Sequence, residues 1–190
     1  MSDRVLDSFV AAVASHITHV YHQTAGEFDG LETTLRWVHE RLYAHPAFLR
    51  LPLLACEATS GDSANVIPVA AAWHLFHCAA HLLDSVADEA FPAQDHAVDG
   101  DSHLEPIGTT ASRVVNDAVT LLFLAQVSLT TLHRSRVDPQ RVVSVVAAFN
   151  TAATRMALGQ ACDLAWDEDA GSRAEYPSAD DYWRVAGAKT

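Results

Sequence analysis

The sequence predicts an all-α protein, a bundle of long helices. Three observations carry this. Apolar residues recur at the helical spacing of three and four along almost the whole chain. Three of the runs, 63–91, 109–135 and 138–166, are far longer than an ordinary strand. No strand-length alternation, internal repeat or low-complexity tract interrupts them. With 190 residues, 49% of them hydrophobic, the chain has the length and apolar content for one domain with its own core.

The helices follow in order. Residues 4–22 place Val5, Phe9, Val13, Ile17 and Val20 on one face, and 31–45 repeat Leu31, Leu35, Val38 and Leu42. A short apolar helix covers 49–61, with Pro52 near its start, where proline is tolerated. Residues 63–91 read as one long helix behind a Ser63 or Asn65 cap. Residues 109–135 and 138–166 are apolar around much of their circumference and are expected at the centre. A last helix runs over 178–187. The polar stretches 92–108 and 167–177, punctuated by glycine and proline, are the long loops.

Charge excludes some functions. Formal net charge is −12, and Lys189 is the only lysine beside eleven arginines. Nucleic acid is not an expected partner, because phosphate neutralisation needs clustered cations. An anionic ligand therefore requires a local basic spot or a bound metal. Charged residues make up only 19%, which hints at a partner surface. Cys56, Cys78 and Cys162 are far apart in apolar runs and read as buried free thiols in a reducing, cytoplasmic setting. The start lacks a basic region ahead of an apolar run, so no signal peptide is expected. No run of about 18 unbroken apolar residues occurs, so no transmembrane segment is expected.

The stretch HLLDSVADEA (81–90) holds the most specific chemistry. Asp84 and Asp88 are i and i+4 and share a helix face, with Cβ atoms about 6 Å apart. Two carboxylates that close repel unless a cation sits between them, and a hard divalent ion such as Mg²⁺ is the usual one. His74, His77 and His81 lie upstream on the same stripe. A solvated helix end, a metal–diphosphate site and a His/Asp transition-metal site are all open on these residues alone.

The surrounding motifs narrow the choice. LFHCAAHLLDSVADE (75–89) resembles the first aspartate-rich motif of the trans-isoprenyl diphosphate synthases, Leu-Leu-His, a few apolar residues, then Asp-Asp-x-x-Asp-Glu. LPLLACEATSGD (51–62) resembles the family's preceding Pro-Leu-Leu segment, ALGQACDLAW (157–166) its Gly-Gln-x-x-Asp-Leu, and SADDYWRVAGAKT (178–190) its Tyr-x6-Lys-Thr. Order and spacing fit across about residues 30 to 190.

The resemblance implies an antiparallel bundle of the isoprenoid synthase type, incomplete in this chain, around a deep apolar cavity. It implies Mg²⁺-dependent transfer of an allylic group onto isopentenyl diphosphate, with metal-bound carboxylates neutralising the leaving diphosphate and apolar walls keeping water off the cation. Carried over by position, Asp84 and Asp88 are metal ligands. His77 matches a contact to isopentenyl diphosphate, Lys189 and Thr190 match contacts to the allylic diphosphate, and Gln160 matches a polar group facing the cavity.

The departures define the expected role. Ser85 stands where the family has its second aspartate. The Gly-Lys-Arg-x-Arg-Pro run that grips isopentenyl diphosphate aligns with HPAFLRLP (45–52), where only Arg50 survives, one place out of step. The arginine pair after the first motif is absent from 90–106. The sequence stops at Lys189-Thr190, short of the place of the family's second aspartate motif. The expectation is thus a subunit of a split synthase, its second motif supplied by a homologous or C-terminal-half partner in a hetero-oligomer, or by a homodimer. The alternatives are half of a class I terpene cyclase and a non-catalytic small subunit of a prenyl synthase.

Overall fold

In a computed structural model of the chain, residues 3–28, 30–59, 61–87, 110–135, 137–169 and 177–189 are described. Those residues are all-α: helices and short 3-10 turns, with no strand among them. The chain divides into two compact units, Met1–Pro139 and Gln140–Thr190.

In the first unit, α1 (Asp3–Ala25) and α2 (Glu32–Ala44) form a helical hairpin. Gly26 ends α1 with φ +59, a left-handed conformation that suits glycine at a helix C-terminus. A 3-10 turn, Pro46–Leu49, feeds α3 (Arg50–Ala58). α3 stops where the amide of Gly61 donates to the Cys56 carbonyl at 2.9 Å. A side chain there would crowd Cys56, since a Cβ on Gly61 would lie 2.7 Å from its sulfur, which would have to shift, and 3.3 Å from its carbonyl oxygen.

α4 (Ile67–Ala87) and α5 (Ala111–Thr130) form the centre and make the most extensive helix pair. Alanines let them approach closely: Ala70, Ala71, Ala72 and Ala79 on α4 and Ala118 and Ala125 on α5 are completely buried. Leu75 and Leu82 of α4 and Leu121 and Leu129 of α5 are buried as well. Each such burial contributes about 1.5–3 kcal/mol. The pair is antiparallel, because Ser128 near the end of α5 donates from Oγ to the Pro68 carbonyl at the start of α4, at 2.8 Å. Two more polar bonds fix neighbours on this centre. Thr34 on α2 donates to Asp117 Oδ2 on α5 at 2.6 Å. His16 on α1 meets Ser128 Oγ at 3.1 Å.

Most sequence-based boundaries hold within three residues, but one cap differs. The residue before the 3-10 turn Ser63–Asn65 is Asp62, whose carboxylate accepts from the Ala64 amide at 2.9 Å, in place of a Ser63 or Asn65 cap. The core face of α1 is set by Leu6, Phe9, Val10, Val13, Ile17 and Val20, while Val5 turns outward at 47% exposure. Of the three thiols, only Cys78 is buried; Cys56 is half-buried and Cys162 exposed.

The second unit holds α6 (Pro139–Asp169) and α7 (Ala179–Lys189). Residues 138–166 were expected at the centre; α6 leaves Val143 and Leu158 60% and 62% exposed and buries Val142. α5 is central on one side only, since Val115, Val119 and Phe123 form an outward stripe at i, i+4 and i+8.

The expectation that no segment can cross a membrane is overturned. Ser63–Ala87, Ala111–Arg134 and Pro139–Trp166 are each long and apolar enough to do so by length and composition. Half of the most apolar stretch of the first is buried inside the protein, against 11% of the third. The sequence criterion failed because it demanded unbroken apolar residues. Histidine, serine, threonine and asparagine interrupt these runs, yet formal charges, which are the costly groups in a bilayer, are sparse in them.

Candidate functional site

The site is built on one stripe of α4. His74, His77, His81 and Asp84 advance by three and four residues and therefore share a flank of the helix. The adjoining face packs its alanines and leucines on α5, which turns the histidine flank toward α2 and the Pro46–Leu49 turn. α2 answers with Trp37, Val38 and Arg41, and His45 follows at its end.

The contacts across this seam are specific. The His74 Nε2–H donates to the Val38 carbonyl at 2.9 Å. The His77 ring lies 4.8 Å from the Phe48 ring, and the His81 ring stacks on Trp37 at 6.0 Å. The Arg41 guanidinium sits over the Trp37 ring, 5.2 Å from its centroid. Burial holds the His74 imidazole down to about 4, further disfavoured by His77, Arg41 and His39 and opposed by the Val38 hydrogen bond. His77 is also lowered, first by burial, then by Arg41, His81 and His45. Burial pushes the Cys78 thiol up to about 12 and leaves it inert as a nucleophile at neutral pH.

The expected site residues separate into groups. His77 is half-buried in the seam, and Asp84 is exposed on the last turn of α4. Asp88 and Thr190 lie outside the described residues. Arg50 opens α3 and is exposed. Gln160 is half-buried on α6 and Lys189 closes α7, its side chain outside the described residues. Both belong to the second unit. Ser85, in the place of an aspartate, donates its hydroxyl to the His81 carbonyl at 2.9 Å. That hydroxyl is committed to its own helix and adds no negative ligand.

The seam holds residues that the motif reading passed over: Trp37, Arg41 and His45. Their signal was present as an i, i+4, i+8 series, which puts an aromatic ring, a guanidinium and an imidazole on one line.

Among the described residues no three His, Cys, Asp or Glu side chains converge to hold a metal ion. Asp84 alone does not make a Mg²⁺ site, which needs oxygen ligands from several directions. The seam does combine a permanent cation, hydrogen-bonding imidazoles and aromatic walls. It suits an anionic headgroup joined to an apolar body. No protein family, no curated protein and no solved structure matches this chain.

Proposed function

We propose that the chain serves as a subunit of an isoprenoid-synthase-type enzyme that transfers an allylic group from its diphosphate to isopentenyl diphosphate. The observation that carries this reading is the α4 stripe: His77 at the seam, His81 a turn on, and the exposed Asp84 carboxylate at the helix end. Mg²⁺, when bound, neutralises the diphosphate that leaves. In this reading Asp84, together with Asp88, supplies ligands to it, and the remaining ligands come from outside the described residues, on a partner chain. His77 holds the isopentenyl diphosphate, and the aromatic rings of Phe48 and Trp37 help to exclude water.

The test is activity of the assembled enzyme with radiolabelled isopentenyl diphosphate. Asp84→Ala and Asp88→Ala should each lower turnover at least about 100-fold. Asp84 is exposed, and circular dichroism of Asp84→Ala separates a loss of turnover from a loss of folding. Ser85→Ala should change turnover little. Full turnover by Asp84→Ala would sink the reading.

The bond from Ser85 to the His81 carbonyl favours a second reading, a non-catalytic subunit that stabilises an active synthase. In that case the Asp84→Ala protein would still raise its partner's activity as the unaltered chain does.

A further inference from the structure

We infer that the first unit carries a docking surface for an anionic lipid membrane, formed by the outward face of residues 43–54 with Trp73 of α4 beside it. Nothing in this surface requires the enzymatic reading.

The surface is built on the 3-10 turn and α3. Phe48, Leu51 and Leu54 advance by three residues, and they are 48%, 69% and 48% exposed. Leu49 and Leu53 are buried and pin the same short stretch to the core. Residues 48–54 are therefore apolar on two faces, of which the fold covers one. Two aromatic residues flank the outward line. Tyr43 is exposed near the end of α2. Trp73 is partly exposed on α4, four residues before His77, whose ring lies 4.8 Å from the Phe48 ring. That contact sets Trp73 on the flank of α4 that faces the Phe48 turn. Tyrosine and tryptophan join an apolar body to a polar tip, and they favour the boundary between headgroups and acyl chains.

Charge selects the occupant. Residues 41–56 hold Arg41, His45 and Arg50 and none of the chain's 24 acidic residues. The whole chain has a formal net charge of −12, so an anionic bilayer repels most of its surface and attracts this strip, which orients the protein. Arg50 is exposed between Leu49 and Leu51, where its guanidinium reaches lipid phosphates while Leu51 and Leu54 enter the acyl layer. A second copy of the chain fits this strip less well. A two-fold contact of strip on strip would set cations against cations, with no carboxylate of the strip to pair them. Exposed leucines, aromatic edges and cations without acidic neighbours in sequence together make an interfacial anchor.

The experiment is sedimentation of the whole protein with vesicles of equal parts phosphatidylcholine and phosphatidylglycerol, and with vesicles of phosphatidylcholine alone. Binding to the anionic vesicles should be at least about tenfold tighter and should weaken as salt is added. Leu51→Ser combined with Leu54→Ser should lower partitioning at least about tenfold. Both side chains are exposed, and circular dichroism checks that the variant is folded. Arg50→Gln should weaken binding severalfold on the anionic vesicles alone. Phe123→Ser, at an exposed apolar position on α5, should leave binding unchanged. Lipids brominated in their acyl chains should quench tryptophan emission less in Trp73→Phe than in the unaltered protein. Arg50→Gln and Trp73→Phe keep the test valid should the leucine variant fail to fold. Absence of vesicle binding, unchanged binding by the folded leucine variant, or an equal loss in Phe123→Ser would overturn the surface. An oligomer of the free chain that the leucine variant dissolves, in a protein that ignores vesicles, would overturn it too and assign the strip to a second copy.

Discussion

His74 shows what one buried polar residue does in this fold. Its Nε2–H satisfies the Val38 carbonyl, and the neutral ring is held to about 4 by burial. Unfolded, the same ring takes a proton near 6.5. The unfolded chain therefore binds more protons than the folded one between these values, and stability falls as pH falls. The contribution is full above about 6.5 and is lost toward 4, amounting to about 3 kcal/mol. Urea unfolding at pH 7.5 and 4.5 should show this loss. His74→Gln, which keeps a donor, should flatten the profile, though not fully. His16 and His39 are lowered by burial as well and share the dependence. The sequence made His74 visible as part of a stripe. It could not separate the ring that ties helices from the ring at the seam, because that difference is made by Val38 and Phe48, on other elements.

At the scale of the element, α4 and α5 explain the stability of the first unit. Leu121 on α5 is wholly buried, so Leu121→Ala should cost about 2–5 kcal/mol in chemical denaturation. The entry to α4 depends on a smaller term. Asp62 satisfies the Ala64 amide in the turn that leads into it, and Asp62→Ala should cost about 1 kcal/mol. Gly61→Ala should destabilise α3 further than its exposure suggests, since the added methyl meets the Cys56 sulfur. Helix existence was readable from periodicity because 3.6-residue spacing marks a helix with one covered face. The caps were less readable, because Asp62, Ser63 and Asn65 are all good capping residues and only the backbone path selects one.

For the whole molecule, the exposed apolar surface is the dominant feature. Phe123 at 68%, Leu158 at 62% and Trp183 at 70% are large side chains that the described residues leave uncovered. Since they pack on little, Phe123→Ser and Leu158→Ser should each alter unfolding free energy by less than about 0.5 kcal/mol. Both should raise solubility and reduce binding of an apolar dye, measured on the purified protein. A large loss of stability would mean that these side chains carry packing contacts.

Sequence alone determined the helical class, the order of the elements and the stripe from His74 to Asp84, since all three follow from spacing along a single chain. It determined also that an anion would need a local cation, since charge is a sum over residues. Tertiary structure decided how the apolar helices of the first unit are covered: α4 and α5 pack on each other, with their alanines buried, while α5 leaves Val115, Val119 and Phe123 outward. It decided too that Arg41 and Trp37 of α2 share a seam with the histidines of α4. Residues so far apart in sequence become neighbours only when two helices pack, and the pattern of one helix does not contain the position of the other.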